Sequence, residues 1–138
     1  MKTYTQIFVV LCFFNGFSQD LNWAKNIGGL GSEVSAVIAI DTSGNFYLTG
    51  TFSGNTGSFD IDPGSATHTI SFSGGQDVFV TKHNANGSLV WARSFGGLGP
   101  DWGSQVTTDI YGNVYVMGQF SGVSDFDPGA GTFTMNAG

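Results

Sequence analysis

An internal repeat constrains the fold more than any other feature of this sequence. The segment that begins at Trp23 recurs in the same register from Trp91. The same spacing relates many identical pairs, among them Gly28 and Gly96, Asp41 and Asp109, Tyr47 and Tyr115, and Gly50 and Gly118. Self-similarity at a fixed period is typical of proteins built from copies of one structural unit. The sequence therefore predicts two copies, residues 23–90 and residues 91–138, of which the second is truncated.

The repeat unit has the pattern of antiparallel strands joined by tight turns. Glycine accounts for 22 of the 138 residues and aromatic residues for 14%, a composition that favours short strands and turns. Residues 36–40 are apolar throughout, which is typical of a strand buried on both faces. We predict further strands over residues 21–27, 46–52, 69–72, 77–82 and 89–95, and no helix after Ser18. Residues 41–45, 84–87 and 109–113 carry turn signals. The predicted fold class is all-β.

The number of strands per repeat indicates an architecture. About four strands are predicted in each complete copy, as in the four-stranded antiparallel blade of a β-propeller. The chain then holds the last strand of one blade, one whole blade and the first half of another, about one and a half blades. Propellers close with roughly four to eight blades. We therefore expect the chain to be the N-terminal part of a longer protein, or to associate with other copies of itself.

Three groups of residues resemble a known repeat. They are Asp41-x-x-Gly44-Asn45-x-Tyr47-x-x-Gly50, Asp77-Val78-Phe79-Val80-x-Lys82 and Gly87-x-Leu89-x-Trp91. Together they resemble the SBBP repeat, a bacterial β-propeller repeat. The loop Asp125-Phe126-Asp127-Pro128-Gly129 resembles the form found in exported proteins of Bacteroidetes-type bacteria. The resemblance covers essentially everything after Ser18, and it implies a propeller without any common enzymatic activity or ligand.

Residues 1–18 have the composition of a signal peptide, which leaves residues 19–138 as the repeat region. Lys2 precedes an apolar run over residues 7–14, and Gly16 and Ser18 follow at the small-residue positions that a signal peptidase reads. The apolar run is shorter than the roughly 20 residues that span a bilayer, so we predict no transmembrane segment. We predict cleavage after Ser18 and a secreted or cell-surface location. The single cysteine, Cys12, would leave with the signal, so no disulfide is expected.

The charge balance excludes some classes of partner. Ten acidic residues against four basic ones give a formal net charge of −6. A protein that binds nucleic acid needs a basic face to neutralise phosphates, and four scattered cations cannot form one. Anionic membrane surfaces are disfavoured for the same reason. Protein partners, neutral polymers such as carbohydrates, and cations stay open.

Two pairs of aspartates are candidate calcium ligands. Asp60 and Asp62 are separated by a single residue, as are Asp125 and Asp127, so on an extended chain each pair points to one side. Ca²⁺ takes six to eight oxygen ligands, which carboxylates and loop carbonyls can supply. The alternative is that Asp-Pro-Gly is a turn in which the aspartate accepts backbone N–H bonds. Because no EF-hand-like series of ligands is present, we favour the turn and expect no cofactor.

No arrangement of residues in the sequence predicts catalysis. His68 and His83 have no counterpart in the second copy, and GxSxG and HExxH motifs are absent. Trp102 stands where the first copy has Val34, and it is the candidate for contact with a carbohydrate or protein ligand. We expect an exported, non-catalytic repeat module for binding or surface scaffolding. The alternative is the N-terminal part of a secreted propeller enzyme whose catalytic residues lie in further blades.

Overall fold

Residues 7–15, 18–27, 32–53 and 58–138 are described by the structure, a computed structural model. The strands in chain order are β1 (Ile7–Asn15), β2 (Ser18–Ile27), β3 (Ser32–Ile40), β4 (Phe46–Ser53), β5 (Ser58–Asp60), β6 (Thr69–Ser71), β7 (Asp77–His83), β8 (Leu89–Gly97), β9 (Trp102–Thr108), β10 (Val114–Gln119), β11 (Val123–Asp125) and β12 (Thr134–Asn136). Within these ranges there is no helix, and hence none long enough to cross a membrane. The all-β prediction is confirmed.

The first blade is a complete four-stranded antiparallel sheet, made of three strands of the first copy and of β8, which runs into the start of the second copy. β3, β4, β7 and β8 lie side by side in that order, and each pairs with the next. Gly44 has a φ of 79° in the turn between β3 and β4, and Gly87 has the same φ in the turn between β7 and β8. Glycine adopts such a backbone without steric cost, which makes both turns tight. Four antiparallel strands in sequence order form the predicted blade.

A short hairpin is inserted into each copy. β5 and β6 pair with each other and enclose the first Asp-Pro-Gly loop, and β11 and β12 form the equivalent hairpin in the second copy. β11 also pairs with the end of β8, through Ser124 with Gly97 and Asp125 with Gly96. The second hairpin therefore extends the sheet of the first blade to six strands. The sequence analysis predicted β6 but not β5.

The second copy contributes the first two strands of another blade. β9 and β10 pair with each other, and β9 packs against β3 and β4 of the first blade. The two approach closely at Gly103, whose backbone N–H donates to Thr51 Oγ1 at 3.3 Å. A Cβ built on Gly103 would lie only 2.7 Å from Thr49 Oγ1 and 2.9 Å from the carbonyl oxygen of Gly50. The two copies thus pack face to face, as successive blades of a propeller do.

One face of the first blade holds the hydrophobic core. The buried side chains of this core are Ile27, Phe46, Leu48, Phe52, Ile61, Ile70, Phe79 and Ala92. Trp23 covers one end of the cluster, where its ring stacks on Phe46 at a centroid distance of 5.6 Å and its indole N–H donates to the carbonyl oxygen of Ala85. β2 therefore packs against the first blade, and Trp23 has a structural role.

β3 differs from the prediction that residues 36–40 are buried on both faces. Ile38 is 46% exposed and Ile40 is 55% exposed. These residues lie opposite Leu48 and Phe46 on the core face, but at the edge of the sheet, where β3 pairs with β4 alone among the described strands and the core packing covers them only partly. The prediction of a strand from the apolar run is therefore correct, whereas the prediction that the strand is buried on both faces is wrong.

The N-terminal strands form a separate two-stranded sheet. β1 pairs antiparallel with β2 over its whole length. β1 falls inside the predicted signal peptide, and cleavage after Ser18 would separate it from β2. The signal peptide and its cleavage site stay predictions.

Replacing Gly103 with alanine should weaken the packing of the second copy on the first. The added methyl group would meet Thr49 and the Gly50 backbone, and such overpacking typically costs about 1–3 kcal/mol. We expect urea unfolding of Gly103→Ala to show a loss in that range. Gly75→Ala is the matched control, because a Cβ at Gly75 has no neighbour within 4 Å. Equal stability of the two variants would contradict the face-to-face contact.

Candidate functional site

The first Asp-Pro-Gly loop is closed by its two carboxylates. Asp60 Oδ1 accepts hydrogen bonds from the backbone N–H of Asp62 at 3.1 Å and of His68 at 2.9 Å. Asp62 Oδ1 accepts one from the N–H of Gly64 at 2.7 Å. A carboxylate bonded to the backbone two positions further on is the defining contact of an Asx turn. Both side chains therefore stabilise the loop.

The second loop repeats this network. Asp125 Oδ1 accepts from the N–H of Asp127 at 3.0 Å and of Phe133 at 2.8 Å, and Asp127 Oδ1 accepts from the N–H of Gly129 at 2.7 Å. The two backbone bonds lower the pKa of Asp125. The hydrogen bonds agree with the turn interpretation. Among the described residues no group of three or more His, Cys, Asp or Glu side chains could hold a metal ion. Calcium binding at the four loop aspartates stays an untested hypothesis.

The hairpin turns at Asp41 and Asp109 are also equivalent to each other. The Asp41 carboxylate accepts hydrogen bonds from the backbone N–H of Ser43, from the backbone and side-chain N–H groups of Asn45, and from the Tyr47 hydroxyl. Asp109 makes the same four contacts in the second copy. In both turns the asparagine side chain is the largest cause of a lowered aspartate pKa. The prediction that these segments are turns is confirmed.

The two histidines occupy different environments. His83 is fully buried, with its ring stacked on Phe46 at a centroid distance of 4.8 Å and its Nε2 2.9 Å from Thr81 Oγ1. Burial lowers the pKa of His83 to about 4, so the ring is neutral at physiological pH. His68 is exposed in the first Asp-Pro-Gly loop. His83 is therefore a residue of the core.

Asp101 joins three segments at the junction of the copies, a role that the sequence analysis missed. Its carboxylate, 1% exposed, accepts hydrogen bonds from the backbone N–H of Gly97 at 2.8 Å, from the N–H of Ser121 at 3.0 Å, and from the Ser124 hydroxyl at 3.1 Å. These bonds connect β8, the residues after β10, and β11. The sequence does hold a signal for this role, because the equivalent position of the first copy, Glu33, is also acidic.

The carboxylates of Asp77 and Asp101 both lie close to Gly96. Its Oδ2 accepts a hydrogen bond from the N–H of Ser73 at 2.7 Å, whereas its buried Oδ1 has no hydrogen-bond partner. A Cβ built on Gly96 would lie 2.7 Å from Asp77 Oδ1 and 2.7 Å from Asp101 Oδ2, so the two oxygens are at most twice that distance apart. Burial raises the pKa of Asp77 to about 6, with a further contribution from the Asp101 charge. The charged form of Asp77 is therefore less favourable in the folded protein than in the unfolded chain.

An apolar groove of about 500 Å³ lies between the first blade and the second copy. Its first wall is made by β7 and β8, with Val78, Val80, Trp91, Arg93 and Phe95. Its second wall is made by the second copy, with Trp102, Val114, Val116, Phe120, Phe126 and Met135. Trp102 is 39% exposed at this wall. We call this space the interblade groove, and the role of Trp102 in ligand binding stays a prediction.

The second wall of the interblade groove has a buried counterpart in the first copy. Val114, Val116 and Phe120 are the repeat equivalents of Phe46, Leu48 and Phe52. Phe126 and Met135 are the equivalents of Ile61 and Ile70, since the loop before them is shorter in the second copy. The five residues of the first copy are at most 5% exposed, and they pack against Phe79 of β7 and Ala92 of β8. The second wall of the interblade groove is therefore the repeat equivalent of the core face of the first blade.

Residues 90–119 match the family model SBBP, described as a beta-propeller repeat. The chain carries an SBBP β-propeller repeat. The family resemblance drawn from the sequence is thus confirmed over this segment. No curated protein matches the sequence.

The SBBP segment crosses the boundary between the two copies. It begins in the last strand of the first blade and ends with the second strand of the next, Val114–Gln119. It therefore contains Asp101, the Asp109 turn and parts of both walls of the interblade groove. The matched segment therefore includes Gly103 and Asp101, two residues at the junction between the blades.

Asp125→Ala and Asp125→Asn should separate the turn from the calcium hypothesis. Alanine removes both backbone hydrogen bonds and should cost about 1–2 kcal/mol of unfolding free energy, whereas asparagine keeps an acceptor oxygen and should cost much less. Asp127→Ala, which loses one such bond, should cost about 1 kcal/mol. Thermal melts with and without millimolar Ca²⁺ provide the test. A calcium-dependent rise in melting temperature that both Asp125 variants abolish would favour the metal site.

Asp77→Asn and Asp101→Asn should change stability in opposite directions at pH 7.5. The asparagine at position 77 keeps the bond from Ser73, removes a buried charge and directs N–H donors at the Asp101 carboxylate. The asparagine at position 101 places an amide N–H opposite donors that need an acceptor. We expect a gain on the order of 1 kcal/mol for Asp77→Asn and a loss of about 2 kcal/mol for Asp101→Asn. Destabilisation by both variants would contradict this account.

The gain from Asp77→Asn should depend on pH. The pKa of Asp77 is about 6 in the folded protein against 3.8 for a free aspartate, so the folded state binds more protons between these values. The stability that the protonated Asp77 contributes is complete below pH 4 and is lost as pH rises through 6. The variant should therefore exceed the wild type above pH 6 and approach it at pH 4. His83 titrates in the same range, but it affects both proteins equally. A pH-independent difference in denaturant midpoint would refute this assignment.

Proposed function

We propose that this chain is an exported, non-catalytic β-propeller module that acts in binding or surface scaffolding and forms the N-terminal part of a longer protein. The observation that carries the proposal is the interblade groove. Its second wall consists of the positions that are core in the first copy. An apolar surface of this kind is stabilised when another element covers it. Further strands of the same repeat would provide that cover.

The use of the polar side chains supports a non-catalytic role. The aspartates of the loops and turns bond to neighbouring backbone, and they do so in the same way in both copies. A network that recurs at equivalent positions serves the repeat unit, whereas a catalytic site requires one unique arrangement. His83, the most strongly perturbed histidine, is buried beneath Trp23 and Phe46.

Export is proposed from the N-terminal sequence. Lys2, the apolar run over residues 7–14 and the small residues at Gly16 and Ser18 have the order of a signal peptide. We expect the protein to be recovered outside the cytoplasm, with a new N-terminus at Gln19 or Asp20. N-terminal sequencing of the secreted form measures this directly.

The module should associate when it is produced alone. A protein of residues 20–138 exposes the interblade groove and unpaired strand edges, which promote association. We expect several species in analytical ultracentrifugation, and a single monomer when the next repeats of the complete reading frame are added. A monomeric 20–138 protein with a sharp, cooperative melt would overturn the proposal. A cluster of polar residues converging on the ring axis of the longer protein would instead favour the enzyme alternative.

A further inference from the structure

We propose that β1 is a temporary substitute for β7: it fills the strand position beside β2 and keeps other strands from it until the leader, residues 1–18, is removed. This inference rests on the proposed function, because it takes these residues to be the leader that export removes. β2 is the repeat equivalent of β8, since Trp23 and Ile27 stand where β8 has Trp91 and Phe95. In the first blade β7 pairs with β8, whereas β1 pairs with β2.

β1 and β7 pair with their partners in the same register. Phe8 lies opposite Asn26, and Phe79 lies opposite Ser94, the repeat equivalent of Asn26. Each of the six pairs between β7 and β8 has such a counterpart between β1 and β2, and in both sets the register shifts between the fifth and the sixth pair. β1 therefore takes the place relative to β2 that β7 takes relative to β8.

The sequences of the two strands agree as well. Residues 7–10 of β1 read Ile-Phe-Val-Val, and residues 78–81 of β7, which take the corresponding places, read Val-Phe-Val-Thr. The phenylalanine and the valine after it are identical, and the residues on either side are β-branched in both strands, which favours strand pairing. Export requires only an apolar run at this point of a leader. Export alone therefore does not account for the agreement with β7.

β1 is held in this position less firmly than β7. β7 is hydrogen-bonded to β4 on one edge and to β8 on the other, whereas β1 pairs with β2 alone among the described strands. The place of β1 then depends on its covalent connection to β2, which gives it a high effective concentration there. Cleavage after Ser18 ends that advantage, so β1 should dissociate. β2 stays on the first blade, because Trp23 and Ile27 pack in its core.

Removal of the leader thus opens one edge of β2 at the time of export. An unpaired strand edge accepts strands from other chains. Before cleavage β1 occupies this edge, so pairing at β2 is delayed until the protein has left the cytoplasm. The outer edge of β1 stays unpaired among the described strands, and the effect is therefore confined to the position beside β2.

Cys12, the only cysteine of the chain, allows a direct test of the pairing. It lies opposite Leu21, so Leu21→Cys in the unprocessed chain, residues 1–138, should form a disulfide with Cys12 under mild oxidation. Lys25→Cys is the matched control. Residue 25 lies opposite Val9, three positions from Cys12 along β1 and about 10 Å away, too far for a disulfide. Equal disulfide yields from the two variants would overturn the proposal.

A peptide of residues 76–84 tests whether β1 keeps another strand from β2. His83→Cys in the peptide places a thiol at the position that corresponds to Cys12. Two chains carry Leu21→Cys as their single cysteine: the processed chain that begins at Gln19, and residues 1–138 with Cys12→Ser. The peptide can then be captured only beside β2. We expect the processed chain to form the mixed disulfide about tenfold faster, because β1 fills the position in the longer chain.

Equal rates for the two chains, or no mixed disulfide with the processed chain, would overturn the proposal. Neither disulfide measurement decides the proposed function. That function is tested separately, by the N-terminus of the secreted form and by the association of the 20–138 protein.

Discussion

The structure depends on one constraint: a blade is a sheet, and a sheet has two faces to cover. One face of the first blade is buried by Trp23 and Ile27 of β2, by Ile61 and by Ile70 of β6. The other face is covered near Gly103 by β9, and beside this contact the interblade groove runs along β7 and β8. Burial of apolar area is the main source of stability in such an array, and every blade obtains it from its neighbour. The contacts that stabilise a blade are therefore the same contacts that join it to its neighbour.

The junction between blades is also where the polar interactions concentrate. Asp101 gathers three donors from separate segments and is fully hydrogen-bonded, so its buried charge is compensated. Asp77 has one donor for two oxygens and lies close to the same glycine. The two aspartates thus differ in what they contribute, because the number of donors decides whether a buried carboxylate stabilises the fold. Such a junction fixes the relative position of the copies more sharply than apolar packing alone.

The sequence predicted those features that local chemistry determines. The turns at Gly44 and Gly87 and the strands of the first blade follow from residue types at short spacing, and the repeat indicated the architecture. The groove could not be predicted in this way, since it requires knowing which face of β10 meets which face of β8. The exposure of Ile38 and Ile40 was predicted wrongly for a related reason: an apolar run shows that a strand can be buried, not that a neighbour is there. Asp101 was missed because its partners Ser121 and Ser124 lie far along the chain, beyond β10.

The pairing of β11 with β8 has a mechanical consequence. A hairpin that belongs to the second copy is hydrogen-bonded into the sheet of the first, at Ser124 with Gly97 and Asp125 with Gly96. Tension along the chain cannot peel one blade from the next without also shearing these bonds and withdrawing Asp101 from its donors. Force applied across the junction therefore acts on backbone hydrogen bonds as well as on apolar packing.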